Sequence, residues 1–153
     1  MILALLLLAA ASGREAIGVY GGWGAFRDAS PRRCFAIARP IVGRGRATGF
    51  ASVANWPGRG LSSSLHIRLS RARDRSAGVT LSVGERRFAL VANTADAWAA
   101  DAPSDRAIVA ALRSGRSMSV EAVGLGGRPF ADTYALAGAA TAIDAAALAC
   151  AAR

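Results

Sequence analysis

The sequence predicts a mainly β protein: an antiparallel β-sandwich or open barrel of six to eight strands, with a short helix and a disulfide-tethered carboxy-terminal helix. Three observations lead there. Short stretches of apolar–polar alternation recur between glycine- and proline-containing turns, as half-buried strands require. Two stretches of helical periodicity interrupt them. Finally, the two cysteines, Cys34 and Cys150, bracket almost everything that reads as foldable.

Residues Gly18 to Gly24 form a glycine-rich lead-in holding Tyr20 and Trp23, followed by a short strand over Ala25 to Asp28 and a turn at Ala29 to Arg32. Cys34 to Arg39 reads as a strand ended by Pro40, which cannot donate to a ladder. After the basic loop Gly43 to Gly49, Phe50 to Asn55 forms the next strand, with a turn over Pro57 to Gly60. Alternation is clearest from Ser64 to Ser70, where Leu65, Ile67 and Leu69 share one face and Ser64, His66, Arg68 and Ser70 the other. Gly78 to Val83 repeats that pattern, turns at Gly84 and Glu85, and returns through Phe88 and Leu90 as a hairpin. Ser117 to Val123 and Pro129 to Tyr134 make a further hairpin about Gly126-Gly127. The first helix has Ser104 as its N-cap, Ile108, Val109 and Leu112 on its apolar face, and Gly115 as its stop. The second runs from about Leu136 to Cys150, with Leu136, Ala140, Ile143, Ala147 and Cys150 on one face.

Residues 1–13 read as a secretory signal peptide, because the apolar run Ile2 to Ala11 is followed by the small residues Ser12 and Gly13. It is too short for a spanning helix, so no transmembrane segment is expected once the leader is removed. Residues 14–153 then form a single domain, located in the periplasm, secreted, or at the cell surface. In an oxidising compartment Cys34 and Cys150 are expected to be bridged, with one possible connectivity; two unpaired buried thiols are the alternative. All 19 basic residues are arginines, and ten acidic residues leave a formal charge of +9 that leader removal does not change. Such a surface attracts anions, and a self-repelling soluble protein without an anionic partner is the plainer reading. The stretch Arg71 to Arg75 reads as a solvated loop.

Little in the sequence points to chemistry. The one histidine, His66, has no second ligand at a metal spacing, so no metal and no cofactor are expected. Ser62, Ser63 and Ser64 lie nearby, but no nucleophile elbow accompanies them. Without lysine there is no Schiff-base chemistry and no P-loop. Six of the ten carboxylates fall in predicted turns or caps, so no acid–base pair is expected and the chain reads as non-enzymatic. Trp23, Trp56 and Trp98 are either core anchors or an exposed aromatic surface. Export argues against a specific nucleic-acid partner.

Several short stretches together resemble the invasion-associated locus B family of exported alphaproteobacterial proteins: Trp23-Gly24-Ala25-Phe26, Cys34-Phe35-Ala36, Phe88-Ala89-Leu90-Val91, Ala97-Trp98, Ala110 to Gly115, and Asp132-Thr133-Tyr134-Ala135-Leu136-Ala137-Gly138 before Cys150. The resemblance covers roughly Gly22 to Cys150, and the Asp132 to Gly138 segment is its most specific part. It implies a periplasmic or surface-associated, non-catalytic protein. For Asp132, Thr133 and Tyr134 the residue types suggest backbone satisfaction and packing at the helix start, and Gly138 suggests close helix-to-sheet approach. The leading expectation is an interaction module for an envelope or host protein or an anionic envelope component. The alternative is a periplasmic carrier of a small apolar ligand, which requires an internal pocket lined by residues such as Phe50, Leu65, Ile67, Leu81 and Phe88.

Overall fold

The computed structural model describes residues 13–41 and 49–151. Most of the expected leader, and positions 43–48 of the basic loop, lie outside them. Ten strands form one antiparallel sheet: β1 (Arg14–Tyr20), β2 (Trp23–Asp28), β3 (Arg33–Ala38), β4 (Phe50–Trp56), β5 (Leu61–Arg68), β6 (Val79–Val83), β7 (Arg86–Ala92), β8 (Asp96–Trp98), β9 (Ser117–Val123) and β10 (Pro129–Ala135). Their spatial order is β1-β2-β3-β4-β5-β8-β7-β6-β9-β10. Helix α1 (Ala102–Ser114) lies between β8 and β9, and α2 (Ala139–Ala151) follows β10. The sheet curls into a half-barrel with its two ends drawn together, so the architecture is one open, curled sheet and not a two-sheet sandwich.

The count exceeds the expected six to eight for two physical reasons. β1 carries a bulge between Ala16 and Gly18, which breaks the alternation that would have revealed it. β8 is three residues long, too short for any periodicity, yet it bridges β5 and β7.

Register assigns the faces. Trp23, Ala25, Cys34, Ala36, Val53, Leu65, Ile67, Leu81, Met118, Val120 and Tyr134 point inward and are buried. The inner wall of β2, β3 and β4 is largely alanine, and α2 answers with Ala139, Ala142, Ile143 and Ala146. Small residues on both sides let the helix seat deeply in the trough, where dense packing is favourable. The buried face is rotated from the expected one, and the helix starts at Ala139 and not Leu136, because Gly138 takes φ +87 and separates Leu136 from the helix.

α1 packs against β5 and β7. Its N-cap is Asp101, not Ser104: the Asp101 carboxylate accepts from the Ser104 amide at 2.8 Å. Gly115 ends it as expected, its amide donating to the Ala111 carbonyl at 2.9 Å. Asp105 reaches from α1 to accept the Leu65 amide at 2.8 Å, satisfying a donor on the β5 edge just before its pairing with β8 begins. Burial is the main reason its carboxyl is raised above the ordinary range; the Leu65 amide opposes that, and nearby Asp101 adds to it. Cys34 and Cys150 are bonded, across a sequence separation of 116, which ties α2 to β3.

Candidate functional site

The residues Asp132 to Gly138 close the curled sheet on itself. β10 presents Asp132 and Tyr134 inward, both fully buried. One Asp132 carboxylate oxygen accepts the Ser70 amide at 2.8 Å, and the Thr133 carbonyl accepts the Ile41 amide at 2.7 Å. Two residues on, the Ala135 carbonyl accepts the indole N–H of Trp23 at 2.9 Å. Gly138 abuts the Tyr20 carbonyl so closely that no Cβ fits, and a Cβ on Gly21 would in turn meet the Ala137 carbonyl. The β1–β2 turn and the β10–α2 junction thus touch backbone to backbone. Gly138 does permit close approach, but to this turn. The Tyr134 hydroxyl and the second Asp132 oxygen have no hydrogen-bond partner in the described structure. Burial, with the Asp132 charge adding to it, pushes the Tyr134 phenol far above its usual range.

The outer face of β1 to β4 has different chemistry. Arg14, Phe35, Arg33, Trp56 and Arg59 form a ladder in which guanidinium groups alternate with rings: Arg14 and Arg33 lie 5.2 and 4.1 Å from the Phe35 centroid, and Arg33 and Arg59 lie 5.0 and 4.8 Å from that of Trp56. Phe26 stacks on Phe35 at 5.6 Å. Asp28 neutralises one end, pairing with Arg14 at 2.7 Å and Arg33 at 2.8 Å. The hydrogen bond from Arg14 is the main reason its carboxyl is held below the ordinary range, with burial opposing and Arg33 reinforcing.

Beside the ladder, a groove with a cavity volume of about 670 Å³ runs over the outer surface of β1 to β4. Gly24 lies in it, and a Cβ there would strike the Phe26 ring at 2.7 Å, so this motif glycine keeps the groove floor open. Farther along the same face, His66 stacks on Trp98 at 5.5 Å, meets Phe50 edge-on at 5.1 Å, and pairs with Asp96 at 2.8 Å; Arg68 contacts the same carboxylate oxygen at 3.0 Å. The hydroxyl of Ser52 faces the His66 carbonyl at 3.5 Å and not its ring. Of the three tryptophans, Trp23 is core, whereas Trp56 and Trp98 belong to the outer face. The residues expected to line an internal pocket are not gathered around one: Leu65, Ile67 and Leu81 are core, at most 1 % exposed, and Phe50 faces outward.

One sequence expectation is overturned within Arg71 to Arg75. Arg73 is buried, and its guanidinium donates to the carbonyls of Asn93, Asp74, Ala77 and Ala92 at 2.7, 2.8, 2.5 and 3.0 Å. It organises the β5–β6 and β7–β8 connections. No group of three or more His, Cys, Asp or Glu side chains suited to a metal occurs among the described residues, and no described helix is long and apolar enough to cross a membrane.

These features define a class of small β proteins in which one curled antiparallel sheet is filled by a terminal helix and locked by a disulfide. The profile of the invasion associated locus B (IalB) protein family matches residues 26–147, and the chain belongs to that family. A solved structure, invasion associated protein B from Bartonella henselae, superposes with a TM-score of 0.63 at 20% identity, covering 86% of this chain and 96% of that one, a likeness in fold. No curated protein matches the sequence.

Proposed function

We propose that this protein is an exported, non-catalytic interaction module of the cell envelope that holds an anionic partner against the outer face of β1 to β5. The observation that carries the reading is the guanidinium–aromatic ladder. It places three arginines on one surface with a single interleaved carboxylate, Asp28, and leaves Arg59 with no acidic partner among the described residues. Family membership, the apolar leader and the Cys34–Cys150 bond support export, since disulfides persist in oxidising compartments. Aromatic rings hold the guanidinium groups extended and reduce the entropy lost when they engage a phosphate or carboxylate. Lipid headgroups and acidic glycans are the chemistry such a surface suits.

Sedimentation with phosphatidylglycerol vesicles tests it, with phosphatidylcholine vesicles as control. Binding to the anionic vesicles alone is expected, weakening as salt rises because the ladder is exposed. Arg59→Glu is expected to reduce it without changing thermal unfolding. Equal binding to both vesicle types, or indifference to Arg59→Glu, would remove the ladder from the explanation.

A further inference from the structure

We propose that the outer-face groove between β1 and β4 holds the chain of a single-chain anionic amphiphile, its head group resting at Arg39. This rests on the reading above of an anion-seeking outer face and gives that face a ligand. The groove floor is Phe26, Ile37 and Phe50, and its walls include Val19 and Ile41, which are 75% and 64% exposed, large apolar side chains left in water. Its volume of about 670 Å³ lies within the range of small-ligand sites. No acidic residue lines it among the described residues. Arg14 and Arg39 do, and while Arg14 is engaged by Asp28, Arg39 is exposed and has no ion pair or hydrogen bond within the described structure.

The lining also selects between occupants. The floor at Phe26 and Ile37 is the side-chain face of β2 and β3, strands whose backbone groups are paired to a neighbour on both sides. A bound peptide would bring its own amides and carbonyls to a surface offering them almost no partners, which is unfavourable. A hydrocarbon chain brings none, and its burial over Phe26 and Ile37 is favourable for every methylene covered.

Calorimetric titration of the purified mature protein with laurate below its micelle concentration tests the proposal. One-to-one saturable binding is expected, with acetate not binding and dodecyltrimethylammonium weaker by at least about fivefold. Val19→Asp, at an exposed wall position where folding is untouched, is expected to weaken laurate roughly tenfold, and Arg39→Glu by about fivefold. Absence of saturable laurate binding, equal affinity for both head-group charges, or indifference to both variants would overturn the groove assignment. So would a concentration-dependent dimer dissolved by Val19→Asp, which would give the groove to a second copy. Vesicle binding lost through Arg59→Glu but kept in Val19→Asp would leave the anionic-face reading standing if laurate fails, and loss of vesicle binding by the unaltered protein would sink that reading independently.

Discussion

Trp23 and Trp56 stand two strands apart in one sheet and meet opposite fates. Trp23 is fully buried, its indole N–H spent on the Ala135 carbonyl, whereas Trp56 lies on the outer face between two guanidinium groups. The first belongs to the inner region, where the motif residues close the sheet. The second belongs to a surface whose arginines outnumber their acidic partners. The residues from Asp132 to Gly138 therefore maintain the fold, and the arginines of the ladder stand on the other side of the sheet. Gly24, Phe26, Phe35 and Trp98 also belong to the family stretches and stand on that outer face, where Gly24 and Phe26 shape the groove.

That division can be broken from the inside first. Gly138→Val is expected to have the largest effect, because φ +87 and contact with the Tyr20 carbonyl leave no room for a side chain. A loss above about 4 kcal/mol is expected, visible as missing soluble protein or a collapsed thermal transition, and near-normal unfolding would mean the closure is not structural. Cys34→Ser with Cys150→Ser comes next, expected to cost at most about 5 kcal/mol by the loop-entropy estimate, read as a shift in denaturant midpoint between the double variant and the oxidised protein. Arg73→Met leaves its carbonyls without their donor, and a loss of about 3 kcal/mol is expected in the same assay.

The smallest expected effect sharpens the outer face. Asp28 has its folded pKa depressed, so its contribution is complete above the unfolded pKa and is lost as pH falls below about 4. Asp28→Asn should flatten the acid limb of a stability–pH curve by under about 1 kcal/mol, given the exposure of its partner Arg14. At neutral pH it should also raise anionic vesicle binding, by removing the charge that competes for Arg14 and Arg33. Reduced vesicle binding would show that Asp28 orders the ladder more than it neutralises it.

Legibility in the sequence followed the physics of each element. β5, β6, β9 and β10 were readable because one face is buried and the other wet, which writes a period of two into the residues. β1 and β8 were not, one interrupted by a bulge and the other only three residues long. The closing residues from Asp132 to Gly138 were visible as a string, but their partners Ser70, Ile41 and Tyr20 were not, since contacts made through backbone amides and carbonyls leave no trace in residue identity. Arg73 is hidden for the same reason: its cage consists of four carbonyls, while its neighbours look like any charged loop. The ladder depends on the register of β1, β3 and β4, which residue identities alone do not fix.

Helix α2 fills the trough formed by β1 to β4, strands contributed by the first part of the chain. A polypeptide delivered amino end first would therefore carry Trp23, Ala36 and Val53 through the early stages of its appearance with their inner side bare. Only when residues 139–151 arrive can that surface be covered and Cys34 find its partner. Pairings so distant along the chain form slowly, and the uncovered interval is when sticking to other chains is most dangerous. Holdase chaperones and thiol oxidants at the site of emergence would have their greatest influence on this protein during that interval.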